Sequence, residues 1–359
     1  TDQAGDADDA DHAADCGGSI GIIAPITGDA AEQGQEQMNW GRLAVERFNE
    51  EHGTEIEVVE GDTQLDPAQA STVAQQFVSD DNIVAVVGPA ASDEVTAIGP
   101  VLERVGMAFV SQSATRADLT TSGDFPTFYR VVPPDSVQAP TDAEYLVEEL
   151  GVEEVLVVDD RTSYSTGLAD GVIAELEDAG VSVATESVNQ DQRDFSSVVA
   201  AIGDQTDAVF LPWQLAANAQ QFGQQMDEQG KDAVIVGTDG LFSPGDFSIE
   251  GSVVSSFAPD ITDIPEDAEL VEAYRDEFGE FGTFGPPTFA AADVVLNAIL
   301  AVCESGDEPS REAVAEQIAA TDLAESILGQ PIRFDENGDI EDARFFLFQV
   351  EDGDFTLIE

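Results

Sequence analysis

The feature that most constrains this chain is a regular alternation of short apolar runs with longer stretches of helical spacing, repeated in two successive series. Residues 19–26 read as a first strand. Residues 37–50 carry Met38, Trp40, Leu43, Ala44, Val45 and Phe48 at intervals that gather them on one face of a helix. A strand over 55–60 follows, then a helix over 67–78 that opens with Asp66 as N-cap and Pro67 at its first position. Residues 83–88 read as a buried strand, 92–105 as a helix and 107–111 as a strand. Four such βα steps predict a parallel, doubly wound sheet. Residues 128–132 then run into the stiff pair Pro133-Pro134. The second series has helices over 137–150, 167–179, 195–202 and 216–229, with strands over 154–159, 181–187, 208–211 and 233–237. After it come a strand over 252–257 and helices near 267–278, 288–303 and 311–319. Two hairpin-like segments close the chain, 332–335 to 343–350 around Asn337-Gly338, and on to 355–358 around Asp352-Gly353. The fold class expected is α/β, with two doubly wound, Rossmann-like lobes. The alternation fits contiguous lobes and interleaved lobes equally.

Size and charge narrow the reading. A chain of 359 residues, 42% of them hydrophobic, suits two α/β cores. No stretch approaches the 18 or more consecutive apolar residues of a membrane helix. There are 74 acidic residues against 12 basic ones, Lys231 is the sole lysine, and the net charge is -62. That balance excludes nucleic acid and anionic lipid as partners, since both need clustered Lys and Arg. Two readings of this charge compete, an acidic surface for a basic partner and a hydrated surface suited to high salt, and the second is preferred because the acids are spread along the whole chain rather than gathered in one patch. Low salt is expected to destabilise the fold by self-repulsion. Residues 1–18 are expected to be a disordered acidic leader. A polar stretch of this kind ahead of a folded domain suits a tether to a lipid anchor, and no signal peptide is seen in it.

Enzyme chemistry finds little support. A Ser-His-Asp triad needs a histidine base, yet His12 lies in the leader and His52 beside Gly53 at a helix end. There is no phosphate-binding G-x-x-x-x-G-K-[ST], no G-x-G-x-x-G after the first strand and no metal-hydrolase motif. Residues 335–339 are loosely like a calcium loop but lack its ligand spacing and terminal Glu, so a plain turn is expected. No cofactor and no metal are expected. Cys16 and Cys303 are either two buried thiols or one disulfide. The disulfide is preferred because Cys16 precedes the first strand and Cys303 ends a long helix that should pack beside it.

Binding is what the loops support. In doubly wound sheets a ligand sits beyond the carboxyl ends of the strands. The loops there carry small and hydroxylic residues: 25–34 with Gln33, 88–92 with Ser92, and 111–115 with Ala114 and Thr115. Ser92 suits the N-cap of the next helix, where Asp93 and Glu94 meet its positive end. The same position suits a ligand carboxylate. In the second series the loops carry Tyr164, Trp213 and Asp239. A carboxylate in Gly237-Thr238-Asp239-Gly240 is placed to pair an ammonium, while Asp-Gly is also a common turn.

These segments, with 39–44, 62–70, 113–120, 164–169, 194–196 and 237–241, resemble the type I periplasmic-binding-protein family over nearly all of residues 19–359. They are most similar to the branched-chain amino-acid binding proteins of ABC importers. The resemblance implies interleaved lobes joined by three crossovers, with 19–132 plus 259–329 in lobe 1 and 133–258 plus 330–359 in lobe 2. It implies Ser92 and Thr115, with Ala114 beside them, as holders of a ligand carboxylate, Asp239 as partner of its ammonium, and Tyr164 as cover. The sequence departs from leucine-type binders in having Gln33 where a Trp is often found, and Pro212-Trp213-Gln214-Leu215 in place of an aromatic pair. Phe284 or Phe281 is expected to supply an aromatic wall. The implied partners are a small amino-acid-like ligand and a membrane permease, for a monomer held outside the cytoplasmic membrane. Gln33 and Gln214 also keep open a binder of urea or short amides, and a sensory ligand domain is a more distant alternative.

Overall fold

A computed structural model describes residues 16–342 and 344–358. The expected leader therefore falls almost wholly outside the described residues, and the first strand already begins at Gly17.

The chain divides into two compact units. Unit 1 comprises the described residues up to Ala114 together with Asp118–Val132 and Asp260–Asp342, and unit 2 comprises Thr115–Ala117, Pro133–Pro259 and the described residues beyond Asp342. Three placements differ from the sequence expectation, one of them the single residue Pro259, which goes with unit 2. Residues 330–342 go with unit 1, because the turn after β12 bonds to the end of β5. Residues 115–117 go with unit 2, where the Thr115 carbonyl accepts the Asp135 amide at 2.7 Å.

Unit 1 is built on five parallel strands in the order β2-β1-β3-β4-β5. They are β1 (Gly17–Ala24), β2 (Glu55–Asp62), β3 (Ile83–Val87), β4 (Ala108–Ser111) and β5 (Phe128–Arg130). Every residue of β3 is buried, as a central parallel strand requires. Helix α1 (Ala31–His52) starts six residues earlier than its apolar spacing predicts and stops at Gly53, which takes the left-handed conformation at φ 67°. Helix α2 (Pro67–Ser79) begins as the sequence predicts, with Asp66 Oδ1 accepting the amides of Ala68 and Gln69 at 2.7 and 3.2 Å. Helix α3 (Ser92–Glu103) has Ala91, not Ser92, at its N-cap. The buried Glu94 carboxylate takes the Ala91 amide at 3.1 Å and leaves Ser92 inside the first turn.

The second half of unit 1 brings α7 (Ala268–Phe278), α8 (Pro286–Glu304) and α9 (Arg311–Ala319) back to this sheet. Helix α8 packs between α1 and α9 and against β3 and β4. By length and composition it would pass for a membrane span, contrary to the sequence expectation. Here it is a core helix with Val294, Val295, Leu296 and Ile299 fully buried, each such side chain worth about 1.5–3 kcal/mol of burial. A disulfide joins Cys303 near its end to Cys16 just before β1, with Cα atoms 5.7 Å apart.

Unit 2 has seven strands in the order β14-β13-β10-β9-β8-β6-β7. The parallel part is β6 (Glu154–Asp159), β7 (Ser182–Ser187), β8 (Ala208–Leu211), β9 (Val234–Gly237) and β10 (Val253–Ser256). Its helices are α4 (Asp135–Glu144), which runs into a π-helical turn at Tyr145–Glu149, then α5 (Ser163–Asp178) and α6 (Ala216–Gln229). The helix expected over 195–202 shrinks to the single turn Ser196–Val199. Two apolar clusters cover the sheet, one around Phe195, Trp213, Phe222 and Phe247, the other around Leu146, Leu168, Val172 and Phe210.

The last hairpin, β13 (Phe346–Glu351) with β14 (Asp354–Leu357), forms as predicted and adds antiparallel to β10. The other expected hairpin does not. β12 (Ile332–Arg333) pairs with β11 (Asp322–Leu323), because β12 and β13 belong to different units. The Asn337-Gly338 turn still forms, closed by the Asp335 amide on the Asp339 carbonyl at 2.9 Å. Asp335 Oδ1 accepts the amides of Asn337 and Asp339, an Asx-type turn.

Candidate functional site

In unit 1 the carboxyl ends of β1, β3 and β4 carry three loops. Thr27 fixes the first to the end of β2, its amide and hydroxyl donating to the two Asp62 oxygens at 3.1 and 2.5 Å. Gln33, expected in that loop, lies half-buried in the first turn of α1. The second and third loops are joined by two serine hydroxyls. Ser111 Oγ donates to the Pro89 carbonyl at 2.7 Å, and Ser113 Oγ donates to the Ala90 carbonyl at 2.8 Å. Gln37 Nε2 donates to Ser113 Oγ at 3.3 Å from α1. Ser92 is buried at the start of α3. Both main-chain groups of Ala114 have partners within unit 1: its amide donates to Ser111 Oγ at 3.0 Å, and its carbonyl accepts Arg130 Nη1 at 3.2 Å. Phe284 is buried ahead of α8. Phe281 is committed elsewhere, edge-on to Trp40 at 5.0 Å and to Tyr274 at 5.2 Å. Glu36 pins this loop by accepting the amides of Gly282 and Gly285 at 2.9 and 2.6 Å.

In unit 2 the corresponding strand ends hold a buried polar cluster. Asp239 follows β9 and is 5% exposed. Its Oδ1 accepts Tyr164 Oη at 2.8 Å and Gln138 Nε2 at 2.9 Å. Tyr164, on the first turn of α5, also accepts the Thr238 hydroxyl at 2.7 Å, and Gln138 donates to Ser255 Oγ at 3.0 Å. Gly240 is required here for space alone, since a Cβ would sit 2.2 Å from the Trp213 carbonyl oxygen. The Asp-Gly pair therefore marks two loops pressed together rather than only a turn. Thr115, first residue of the short 115–117 segment, is 1% exposed, and its hydroxyl has no hydrogen-bond partner among the described residues.

Two expected contacts read differently. Trp213 is a core residue: its ring packs on Phe195 and Phe222 at 5.2 and 5.5 Å, and its Nε1 donates to the Val158 carbonyl at 2.6 Å. Gln214 is taken up by Gln190, whose Nε2 donates to Gln214 Oε1 at 2.8 Å. The sequence reading also missed Asp135, Gln138 and Asp142. They stand at i, i+3 and i+7 on one face of α4, and all three are buried. That polar stripe at helical spacing, within a helix otherwise buried through Ala139 and Ala143, was the available signal.

Burial governs the acids. It raises Asp239 from 3.8 to about 6, against the hydrogen bonds from Gln138 and Tyr164, which lower it. Burial pushes Asp142 well above its ordinary range, and the charges of Asp239 and Asp135 add to the effect. In unit 1, burial raises Glu36, Glu94 and Asp293 each to about 7. Each of these groups holds its proton more tightly folded than unfolded. The stability they contribute is complete below about pH 4 and is lost as pH rises through 6 to 7. The ligand-free protein is expected to melt at higher temperature at pH 5.5 than at pH 8, and a thermal melt showing the reverse order would contradict these assignments.

Two α/β units between which one chain passes repeatedly, with polar loops at the carboxyl ends of parallel strands, define a ligand-binding protein of the type I periplasmic class. Residues 19–354 match the family described as periplasmic binding protein, and the chain belongs to that family. It is 27% identical over 349 residues to a Leu/Ile/Val-binding protein homolog of Brucella melitensis, covering 95% of this chain and 93% of that one. Among solved structures, a leucine binding protein of Thermotoga maritima superposes with a TM-score of 0.85 at 24% identity, over 95% of this chain and 97% of the other. A branched-chain amino acid transporter substrate binding protein of Streptococcus pneumoniae in complex with isoleucine gives 0.84 at 24% identity, over 95% and 99%.

Proposed function

We propose that this protein is the substrate-binding component of an ABC importer, working outside the cytoplasmic membrane, and that it captures an α-amino acid of the branched-chain or a related type. The observation that carries the reading is the Asp239 carboxylate, buried at the end of β9 and oriented by Tyr164 and Gln138. A carboxylate held this way suits a ligand ammonium, and Tyr164 lies against it as cover. Ser92 and the Thr115 hydroxyl, which has no partner among the described residues, suit the ligand carboxylate. Each charge-assisted contact contributes about 1.5–3 kcal/mol. A few of them with apolar burial reach about −8 kcal/mol, a micromolar affinity. The Brucella melitensis relative, named as a Leu/Ile/Val-binding protein homolog, supports the ligand class. The Cys16–Cys303 disulfide fits an oxidising compartment, and delivery to a permease follows from the importer role.

The amide-binding alternative has less support, because Gln214, one of its two motives, is bonded to Gln190. A thermal-shift panel of amino acids and short amides at high salt tests the proposal. Stabilisation by leucine, isoleucine or valine is expected. Stabilisation by urea or amides alone would overturn the amino-acid reading.

A further inference from the structure

We propose that Arg130 is a positioning residue which fixes, from inside unit 1, the places where the chain leaves for unit 2, and through them the Ala114–Thr115 step of the candidate ligand loop. Its effect on affinity rests on the amino-acid reading above; its effect on the protein's own motions does not.

Arg130 ends β5 and is wholly buried. Its Nε donates to Asp339 Oδ1 at 2.5 Å, its Nη1 to the Ala114 carbonyl at 3.2 Å and its Nη2 to Thr120 Oγ1 at 2.9 Å. Thr120 Oγ1 in turn donates to Asp339 Oδ2 at 3.0 Å. The main chain adds the Arg130 amide on the Gly338 carbonyl and the Val131 amide on the Ser111 carbonyl, both at 3.1 Å. Gly338, at φ 93°, lies so close to β5 that a Cβ would come within 2.4 Å of the Phe128 carbonyl oxygen.

The partners are not scattered. Ala114 is the last residue before the chain leaves unit 1, and Thr120 follows its return at Asp118. Arg130 itself precedes the departure after Val132, and Asp339 the departure after Asp342. Among the described residues, the passage at Pro259–Asp260 is the one that these bonds do not reach. A buried guanidinium must be paired and hydrogen-bonded throughout. Its planar fork meets several acceptors in fixed directions, which an ammonium does not reproduce. One side chain therefore makes four chain passages a single rigid base, and bending is confined to the short segments beyond it.

The test uses the full chain without ligand, comparing wild type with Arg130→Lys and the milder Asp339→Asn. Hydrogen–deuterium exchange is expected to rise at least tenfold together over residues 111–121, 128–132 and 335–341, with β8 and β9 of unit 2 unchanged. Faster exchange confined to 335–341 would overturn the proposal and leave Asp339 as a local turn residue. In the second arm, calorimetry with L-leucine is expected to show about tenfold weaker binding in both variants. Ile299→Val, a core change in α8 remote from these bonds, is the control and should lower the melting temperature with leucine affinity intact. Joint loss of protection with unchanged leucine affinity would overturn the link to the ligand loop. A wild type that does not bind leucine defeats the amino-acid reading and leaves the exchange result to decide on Arg130.

Discussion

Replacing Asp239 with alanine is expected to weaken amino-acid binding by about 10- to 150-fold, the equivalent of one charge-assisted contact of about 1.5–3 kcal/mol. The variant should remain folded. In the ligand-free protein this carboxylate is a liability, since burial, only partly offset by the bonds from Gln138 and Tyr164, lifts it to about 6. Removing it relieves that cost while the hydroxyl of Tyr164 keeps Thr238 as a partner. A melting temperature unchanged or slightly raised, together with a calorimetric affinity weakened by that factor, is the expected pair of results. Wild-type affinity in the variant would end the assignment of Asp239 to the ligand ammonium. The wild type supplies a second check through pH. Binding needs the ionised carboxylate, so affinity should fall as pH drops below about 6, while the stability of the ligand-free protein moves the opposite way. Opposed trends from one group are hard to produce by general destabilisation.

The second large effect concerns the disulfide. Cys16 and Cys303 are 287 positions apart, so their bond closes most of the chain into one loop. Replacing both with serine is expected to cost about 2–5 kcal/mol, in the upper part of the usual range because the loop is long. Both cysteines are buried, so the double variant is a cleaner test than adding reductant to the folded protein. The readout is the denaturant midpoint and slope, since a less constrained unfolded chain exposes more surface. A midpoint equal to that of the wild type would show that the bond adds nothing to the fold.

Much of the architecture was legible because period and punctuation agree along most of the chain. Asp66-Pro67 opens α2 where it should, and β6, β8, α6 and α9 occupy the residues that their patterns predict. The failures have physical causes. Trp213 looked like a ligand contact because its loop position was readable, while the Phe195 and Phe222 rings that enclose it come from distant sequence. Ser92 looked like a cap because capping residue types are local, yet Glu94 provides the side chain that meets the start of α3. Asp135, Gln138 and Asp142 were invisible to a search of strand ends because they enter from a helix face. Asp239 and Tyr164 could be singled out because both stand at strand ends, where the doubly wound topology gathers functional groups. Their bond to each other, 75 positions apart, could not be.

The interleaving of the two units also sets an order of events at synthesis. Unit 1 lacks its central helix α8 and the partner of Cys16 until residue 303 has been made. Unit 2 lacks β13 and β14 until residue 357 has been made. Neither half can therefore finish folding on the ribosome ahead of the other, as sequential domains do. Until residue 357 has been made the growing polypeptide stays incompletely folded, in the state that threads most readily through a narrow translocation pore.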